Sequence, residues 1–139
     1  MSVASIIFEL ERTSSKNEKQ DILKANKEVL GLAPVLFYAY NPRLKYFVDS
    51  KIDNLEIGVG VSTLEDTLPE FEELLAALSS QKYTGDFAVF KIKEYLDKLD
   101  VNNATIAVRT IKKDLRCGIS ETSINKVFSS LIPEYPYLS

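Results

Sequence analysis

Apolar side chains recur every three or four residues along most of this chain, the spacing of helices that each bury one face. Val3, Ile6, Ile7 and Leu10 form the first stripe, which Thr13-Ser14-Ser15 punctuates. Lys16 to Val29 reads as a second, charged helix carrying Ile22, Leu23 and Leu30, with Gly31 as its stop. Pro34 suits the first turn of a third helix, Val35 to Tyr40, whose aromatic content predicts deep burial. Asn41-Pro42 breaks it, and Arg43 to Val48 is expected as a short further helix with Tyr46 and Phe47 packed inward.

The pattern changes between residues 49 and 62. Leu55, Ile57, Val59 and Val61 alternate with Glu56, Gly58, Gly60 and Ser62, which predicts a short strand or an extended loop. Helical spacing then resumes. Thr63, with Asp66 three residues on, reads as the cap of a helix bearing Leu64, Leu68, Phe71, Leu75 and Leu78. Its acidic residues Glu65, Asp66, Glu70, Glu72 and Glu73 are expected on a solvated face. Thr84-Gly85-Asp86 opens the next helix, with Val89, Ile92, Leu96 and Leu99 buried. Asn102-Asn103 is expected to cap a long helix with Ala104, Ala107, Val108, Ile111 and Leu115 inward, ended by Gly118. Ser120 caps a last helix with Ile124, Val127, Phe128 and Leu131 on its inner side. The predicted fold class is all-α, a compact multi-helix domain with one short extended segment near 55–62.

A chain of 139 residues is one domain's worth, able to bury roughly 68% of its unfolded surface. It contains no histidine, which removes the commonest general base and the usual partner of a catalytic Ser or Cys. Cys117 is the single cysteine, so an internal disulfide and a Cys-rich metal site are both excluded. No apolar run approaches the ~20 residues of a membrane span. The net charge of −3 hides an asymmetry: residues 61–100 carry four basic and nine acidic side chains, residues 101–139 five basic and three acidic. A neutral or positive surface can therefore coexist with a negative total.

Three features bear on chemistry. Arg109, Lys112, Lys113 and Arg116 are spaced i, i+3, i+4, i+7, so on a continuous helix they share one face. That face is either a solvated stripe opposite the core or a row of phosphate contacts; the absence of an i±4 acidic partner favours phosphates. The turn Arg116-Cys117-Gly118-Ile119-Ser120 opens a helix N-terminus, as do Thr84 and Gly85; both are explained by capping or by a bound phosphate. The third feature is an absence. There is no Lys-x-Asp-Gly nucleophile, no phosphate loop and no paired Ser and base, and Cys117 lacks a His or second Cys. The chain alone is therefore not expected to be an enzyme.

The stretch Arg109 to Ser120, with its Asp114-Leu115-Arg116-x-Gly118-x-Ser120 core, followed by Ile124-Asn125-Lys126-Val127, resembles the end of the N-terminal DNA-binding domain of ATP-dependent DNA ligases. It is most similar to the T-even phage type, which Leu131-Ile132-Pro133-Glu134, Lys82-x-Thr84-Gly85, Ala39-Tyr40 to Tyr46-Phe47 and Lys19-Gln20-x-Ile22-Leu23 extend. The acidic 65–73 segment departs from that pattern, and the chain stops where the family's adenylation domain would begin.

The resemblance implies a helical DNA-binding domain over 1–131 and the start of a linker over 132–139. It implies a monomer in the host cytoplasm that grips nicked duplex DNA without sequence preference, in replication, repair and recombination. Its contacts would come from Arg109, Lys112, Lys113, Arg116, Gly118, Ser120, Lys126, Lys82, Thr84, Gly85, Arg43 and Lys45. No cofactor is implied for this domain, since ATP and magnesium belong to the catalytic core. The alternative is a helical protein-interaction module using the acidic face, with no DNA role.

Overall fold

The computed structural model describes residues 1–133, which hold seven α-helices and no strand. They are α1 (Val3–Arg12), α2 (Lys16–Ala25), α3 (Leu32–Tyr40), α4 (Leu68–Ser79), α5 (Gly85–Leu96), α6 (Val101–Ile111) and α7 (Glu121–Val127). A single 3₁₀ turn, Asp49–Ile52, interrupts the long connection from α3 to α4. The all-α expectation holds. The final expected residues of the 132–139 linker, 134–139, lie outside the described residues.

α6 is central, because one broad face of it is buried. Asn103, Ala104, Ile106, Ala107, Thr110 and Ile111 make up that face, and the helix packs against both α3 and α1. α3 is apolar almost throughout, and its Leu32, Val35, Leu36 and Ala39 fill the interface with α6. α1 presents Val3, Ile6, Ile7 and Leu10, each without solvent contact. Each such buried aliphatic side chain contributes roughly 1.5–3 kcal/mol. α2 lies on α7 and α4 on α5, completing the domain around the α1–α3–α6 centre.

Several helix ends differ from the spacing-based expectation, each for a local reason. α2 stops at Ala25 because the Asn26 side chain turns back and donates to the Ile22 carbonyl at 2.8 Å. Leu30 is consequently outside the helix and exposed, and Gly31, at φ 91°, begins α3 instead of ending α2. Thr63 does cap, accepting from the Asp66 N–H at 3.0 Å, but it closes only a turn; α4 starts at Leu68 with Pro69 in its first turn. Asp100, not Asn102-Asn103, caps α6 through the Asn103 N–H at 2.9 Å. Asn103 is instead buried, and its Oδ1 accepts from the Leu64 N–H at 2.9 Å. Val89 is only half-buried, and Ala88 and Tyr95 join Ile92 and Leu96 on the buried face of α5.

Arg43 to Val48 is not a helix. The Asn41 side chain accepts from the Arg43 N–H at 3.0 Å, which sets a turn, and Phe47 adopts φ 61°. Tyr46 is buried as expected; Phe47 is exposed, contrary to expectation. The alternating 55–61 segment forms no strand. It runs beside the α5–α6 connection through Gly60 N–H to Leu99 O (3.1 Å) and Ser62 N–H to Lys98 O (2.8 Å), with one isolated parallel bridge between Ser62 and Leu99. Gly60 permits this approach: a Cβ there would lie 2.3 Å from the Lys98 carbonyl carbon.

Two predictions follow from this packing. Gly60→Ala should cost about 1–3 kcal/mol because backbone must move, whereas Gly85→Ala, whose Cβ enters open space, meets only left-handed strain of roughly 1 kcal/mol. Urea unfolding of the two variants checks the order, and equal midpoints would refute it.

The second concerns pH. Burial pushes the phenols of Tyr40, Tyr46 and Tyr95 well above their usual range, and burial with the adjoining Glu72 carboxylate pushes Tyr38 up to about 12. The unfolded chain releases these protons near pH 10 while the fold retains them, so stability present below ~10 is lost as pH rises toward ~12. The melting temperature should fall steeply across that window, with phenolate absorbance rising together with unfolding. A melting temperature unchanged over the same range would contradict it.

Candidate nucleic-acid interface

The four cations of the 109–116 segment do not form a helical stripe. α6 ends at Ile111, Lys112 is its cap, and Lys113, Arg116 and Gly118 adopt φ of 60°, 59° and 62°. Three left-handed residues within six positions fold the chain into a compact corner. Non-glycine residues enter that region at a cost of roughly 1–2 kcal/mol each, so the surroundings must hold them there.

Lys113 shows what does. Its ammonium donates to the carbonyl of Asn41 at 2.6 Å and reaches that of Tyr38 at 3.4 Å, closing the C-terminal end of α3. It also lies 5.6 Å from the centre of the Tyr46 ring. Carbonyls at a helix C-terminus carry the negative end of the dipole, so a cation is favourable there. Burial pulls the Lys113 pKa down, the mark of an ammonium withdrawn from water.

Arg109 and Lys112 are also engaged within the fold. Arg109 donates to Glu11 at 3.0 Å and to the Leu115 carbonyl at 3.3 Å, and stands 5.2 Å from the Phe8 ring centre with 14% of its side chain exposed. Lys112 pairs with Asp53 at the surface. The sequence offered no i±4 acid for these residues because their acids are 98 and 59 positions away. Among the described residues, Arg116 has no side-chain hydrogen bond or ion pair, and it is exposed.

The corner nonetheless gathers positive groups from separate elements. A groove of about 340 Å³ is rimmed by Arg109, Lys112 and Arg116, with Asp53 and Asp114 beside them, over an apolar floor that includes Leu55 and Ile57. On another side, Lys45, Phe47, Lys112 and Lys113 border a recess of about 200 Å³. Arg43, exposed, precedes Lys45 on the same loop.

A third recess, about 220 Å³, joins the start of α2 to the Gly118 turn and is lined by Ser14, Lys16, Lys19, Gly118, Ser120 and Ser123. Lys19 donates there to the carbonyls of Cys117 (2.9 Å) and Gly118 (3.2 Å). Lys16 and Lys19 were not recognised as part of this region from sequence. Only the packing of α2 on α7 brings them to it, and nothing in their local pattern marks it.

The two helix starts differ. Ser120 is a working cap: its Oγ accepts from the Ser123 N–H at 3.2 Å. Thr84 makes no side-chain cap bond, so capping does not explain it, and Gly85 at φ 56° faces open space. Lys82 beside them lies 6.0 Å from the Tyr83 ring centre. Lys82, Thr84 and Gly85 line none of the three recesses just described. Lys126 is exposed on α7 beside a separate recess with Glu121 and Asn125.

The acidic segment is less solvated than its composition predicts. Glu65 accepts from the Val3 N–H at 2.9 Å, stabilising the N-terminus of α1, and Glu72 accepts from the Tyr38 hydroxyl at 2.9 Å. Cys117 is buried against the Tyr40 hydroxyl at 3.3 Å, and burial pushes its thiol up despite nearby Lys19. A protonated buried thiol is a poor nucleophile. Among the described residues no cluster of three or more His, Cys, Asp or Glu is placed to hold a metal, and no helix is long and apolar enough to cross a membrane.

This architecture recurs in solved structures. The chain aligns over 96% of its length with the solved structure named Pmar-Lig_PreS3, at TM-score 0.79 and 22% identity, covering 32% of that chain. It aligns over 91% with Pmar-Lig_Pre, at TM-score 0.77 and 22% identity, covering 29% of it. In sequence, the chain is a relative of the DNA ligases of Enterobacteria phages T4 and T6, 30% identical to each over 138 residues, or 98% of its length. It spans 28% of the length of those ligases. No protein-family profile matches the chain.

The geometry separates Lys113 from Arg116. Lys113→Ala leaves the α3 carbonyls without their cation and should lower stability by about 1–3 kcal/mol, while Arg116→Ala should stay within ~0.5 kcal/mol. Thermal melts of the two variants check this, and a reversed order would show that the lysine is not a tie.

Proposed function

We propose that this chain is the DNA-binding module of an ATP-dependent DNA ligase, holding duplex DNA on either side of a nick through its phosphates. The observation that carries the reading is the convergence of exposed cations from three separate elements on the 112–120 corner. Lys45 comes from the loop after α3, Lys112 and Arg116 from the end of α6, and Lys16 from the start of α2, and Arg43 is exposed two residues before Lys45. The excess acid lies in residues 61–100. Phosphate contacts position a protein on DNA without reading bases, which suits an activity that must act at any nick.

Within this reading the four cations of the segment have unequal roles. Arg116 is the principal phosphate contact, and Lys112 joins it by exchanging Asp53 for DNA. Arg109 and Lys113 hold the corner in shape. Gly118 lets the backbone approach closely, Ser120 keeps its cap, and Lys126 adds charge on α7. The uncapped first turn of α5, with Lys82, Thr84 and Gly85, is a second place for a phosphate. Adenylation and strand sealing belong to the rest of a ligase, where ATP and magnesium act; residues 132–139 are read as the link toward it, and the domain as a monomer. The rival protein-interaction reading relied on the 65–73 face, but Glu65 and Glu72 there serve the fold's own hydrogen bonds.

Titration of a fluorescent nicked duplex at several salt concentrations tests the reading. The Lys112→Ala/Arg116→Ala double variant should bind more weakly to every sequence, and its log–log salt slope should shrink by roughly 0.9 per lost contact. Glu70→Lys/Glu73→Lys, on the acidic side, should leave the slope nearly unchanged. A double variant with the parent slope would remove the corner from the DNA surface.

A further inference from the structure

We propose that Phe47 is an apolar wedge that this module sets against a base-pair step of the bound duplex, favouring the easily unstacked step at a nick. The inference rests on the DNA-binding reading above and adds a residue that the charge pattern does not supply.

Phe47 is 53% exposed, yet its neighbours Tyr46 and Val48 are each only 3% exposed. The Tyr46 hydroxyl donates to the Tyr38 carbonyl at 2.8 Å, and the Val48 carbonyl accepts from the Lys51 N–H at 2.9 Å, so both flanks are fastened. Between them Phe47 takes φ 61°, a region that aromatic residues rarely enter. That conformation, held from both sides, sends the ring outward instead of letting it follow its neighbours into the core. Backbone strain of this kind is characteristic of functional positions.

The surroundings indicate what the ring meets. Lys45, Lys112 and Lys113 border the recess beside it, with Ile111 and Val48 as its apolar part, and among the described residues no acidic side chain lines it. Asp53, paired with Lys112, is the neighbouring acid that a phosphate would displace. An apolar protein partner would not call for these cations, whereas a duplex offers phosphates to Lys45 and Lys112 and an apolar base stack between them. Proteins that place an apolar side chain among cations on DNA partly unstack one step. Interruption of one strand's backbone lowers the resistance of that step, so the ring would favour a nick over continuous duplex.

The test uses the 139-residue chain with nicked and intact duplexes carrying 2-aminopurine beside the nick. Phe47→Gly suits the left-handed backbone, so its melting temperature should match or exceed that of the parent, which separates loss of the ring from loss of fold. Parent protein should raise 2-aminopurine fluorescence and bind the nicked duplex better than the intact one. Phe47→Gly should lose the fluorescence rise and about tenfold in affinity for nicked duplex while keeping the parent salt slope; Phe47→Leu should retain part of both.

Parent binding with no fluorescence change, or Phe47→Gly binding nicked DNA as the parent does, overturns the wedge and leaves the phosphate-binding reading standing. Failure of the parent to bind either duplex overturns both. Loss of affinity in Phe47→Gly for a protein partner, without a change for DNA, assigns the ring to that partner and also overturns the wedge.

Discussion

The ammonium of Lys113, seated on the last carbonyls of α3, is the contact around which the rest of the surface is arranged. It joins the end of α6 to the end of α3 across 72 residues of sequence, at 2.6 Å from the Asn41 carbonyl. The tie has two consequences. It adds a cation at helix-end carbonyls that otherwise accept from the Leu44 N–H (3.2 Å) and the Tyr46 hydroxyl (2.8 Å), where the negative end of the α3 dipole favours positive charge. It also turns the chain out of α6, since a lysine reaching back to α3 cannot keep the outward direction of the preceding turn. The left-handed residues at 113, 116 and 118 shape that turn, which the Asp114 N–H closes on the Arg109 carbonyl at 2.9 Å.

From that corner the electrostatic layout follows. Arg109 is drawn under Glu11 and Lys19 onto the Cys117 and Gly118 carbonyls, so two more cations serve positioning, while Lys112 pairs with Asp53 at the surface. Arg116 projects free of such contacts among the described residues, with Arg43 and Lys45 exposed on the adjoining loop. Cations that fix one another's setting present a shaped, positive surface; the same residues on a straight helix would present only a row. The negative excess in 61–100 is set apart in sequence and is partly absorbed by hydrogen bonds to α1 and α3.

The comparisons fit a helical module. A single buried, protonated cysteine and a chain without histidine leave few nucleophiles or bases. What the fold supplies is shape and charge, and in the proposed reading the Phe47 ring adds an apolar point of contact within that charge.

Sequence by itself determined the fold class, the approximate place of all seven helices and the Ser120 cap, because these depend on local spacing and on side chains reaching their own backbone. The 109–120 segment also carried the ligase resemblance. Its helical stripe did not survive, and neither did the Arg43–Val48 helix or the inward Phe47. A periodic pattern is equally compatible with a helix that continues and with one that ends where Lys113 meets Asn41, and nothing near Lys113 in sequence records that partner. Likewise, Lys16 and Lys19 join the Gly118 turn only because α2 packs on α7, and Gly58-x-Gly60 finds its purpose only where the 58–62 backbone lies against Lys98 and Val101. Local periodicity decides which segments coil and which face they bury. Which cations remain for a ligand is decided by partners dozens of residues away, and these exist only once the helices have packed.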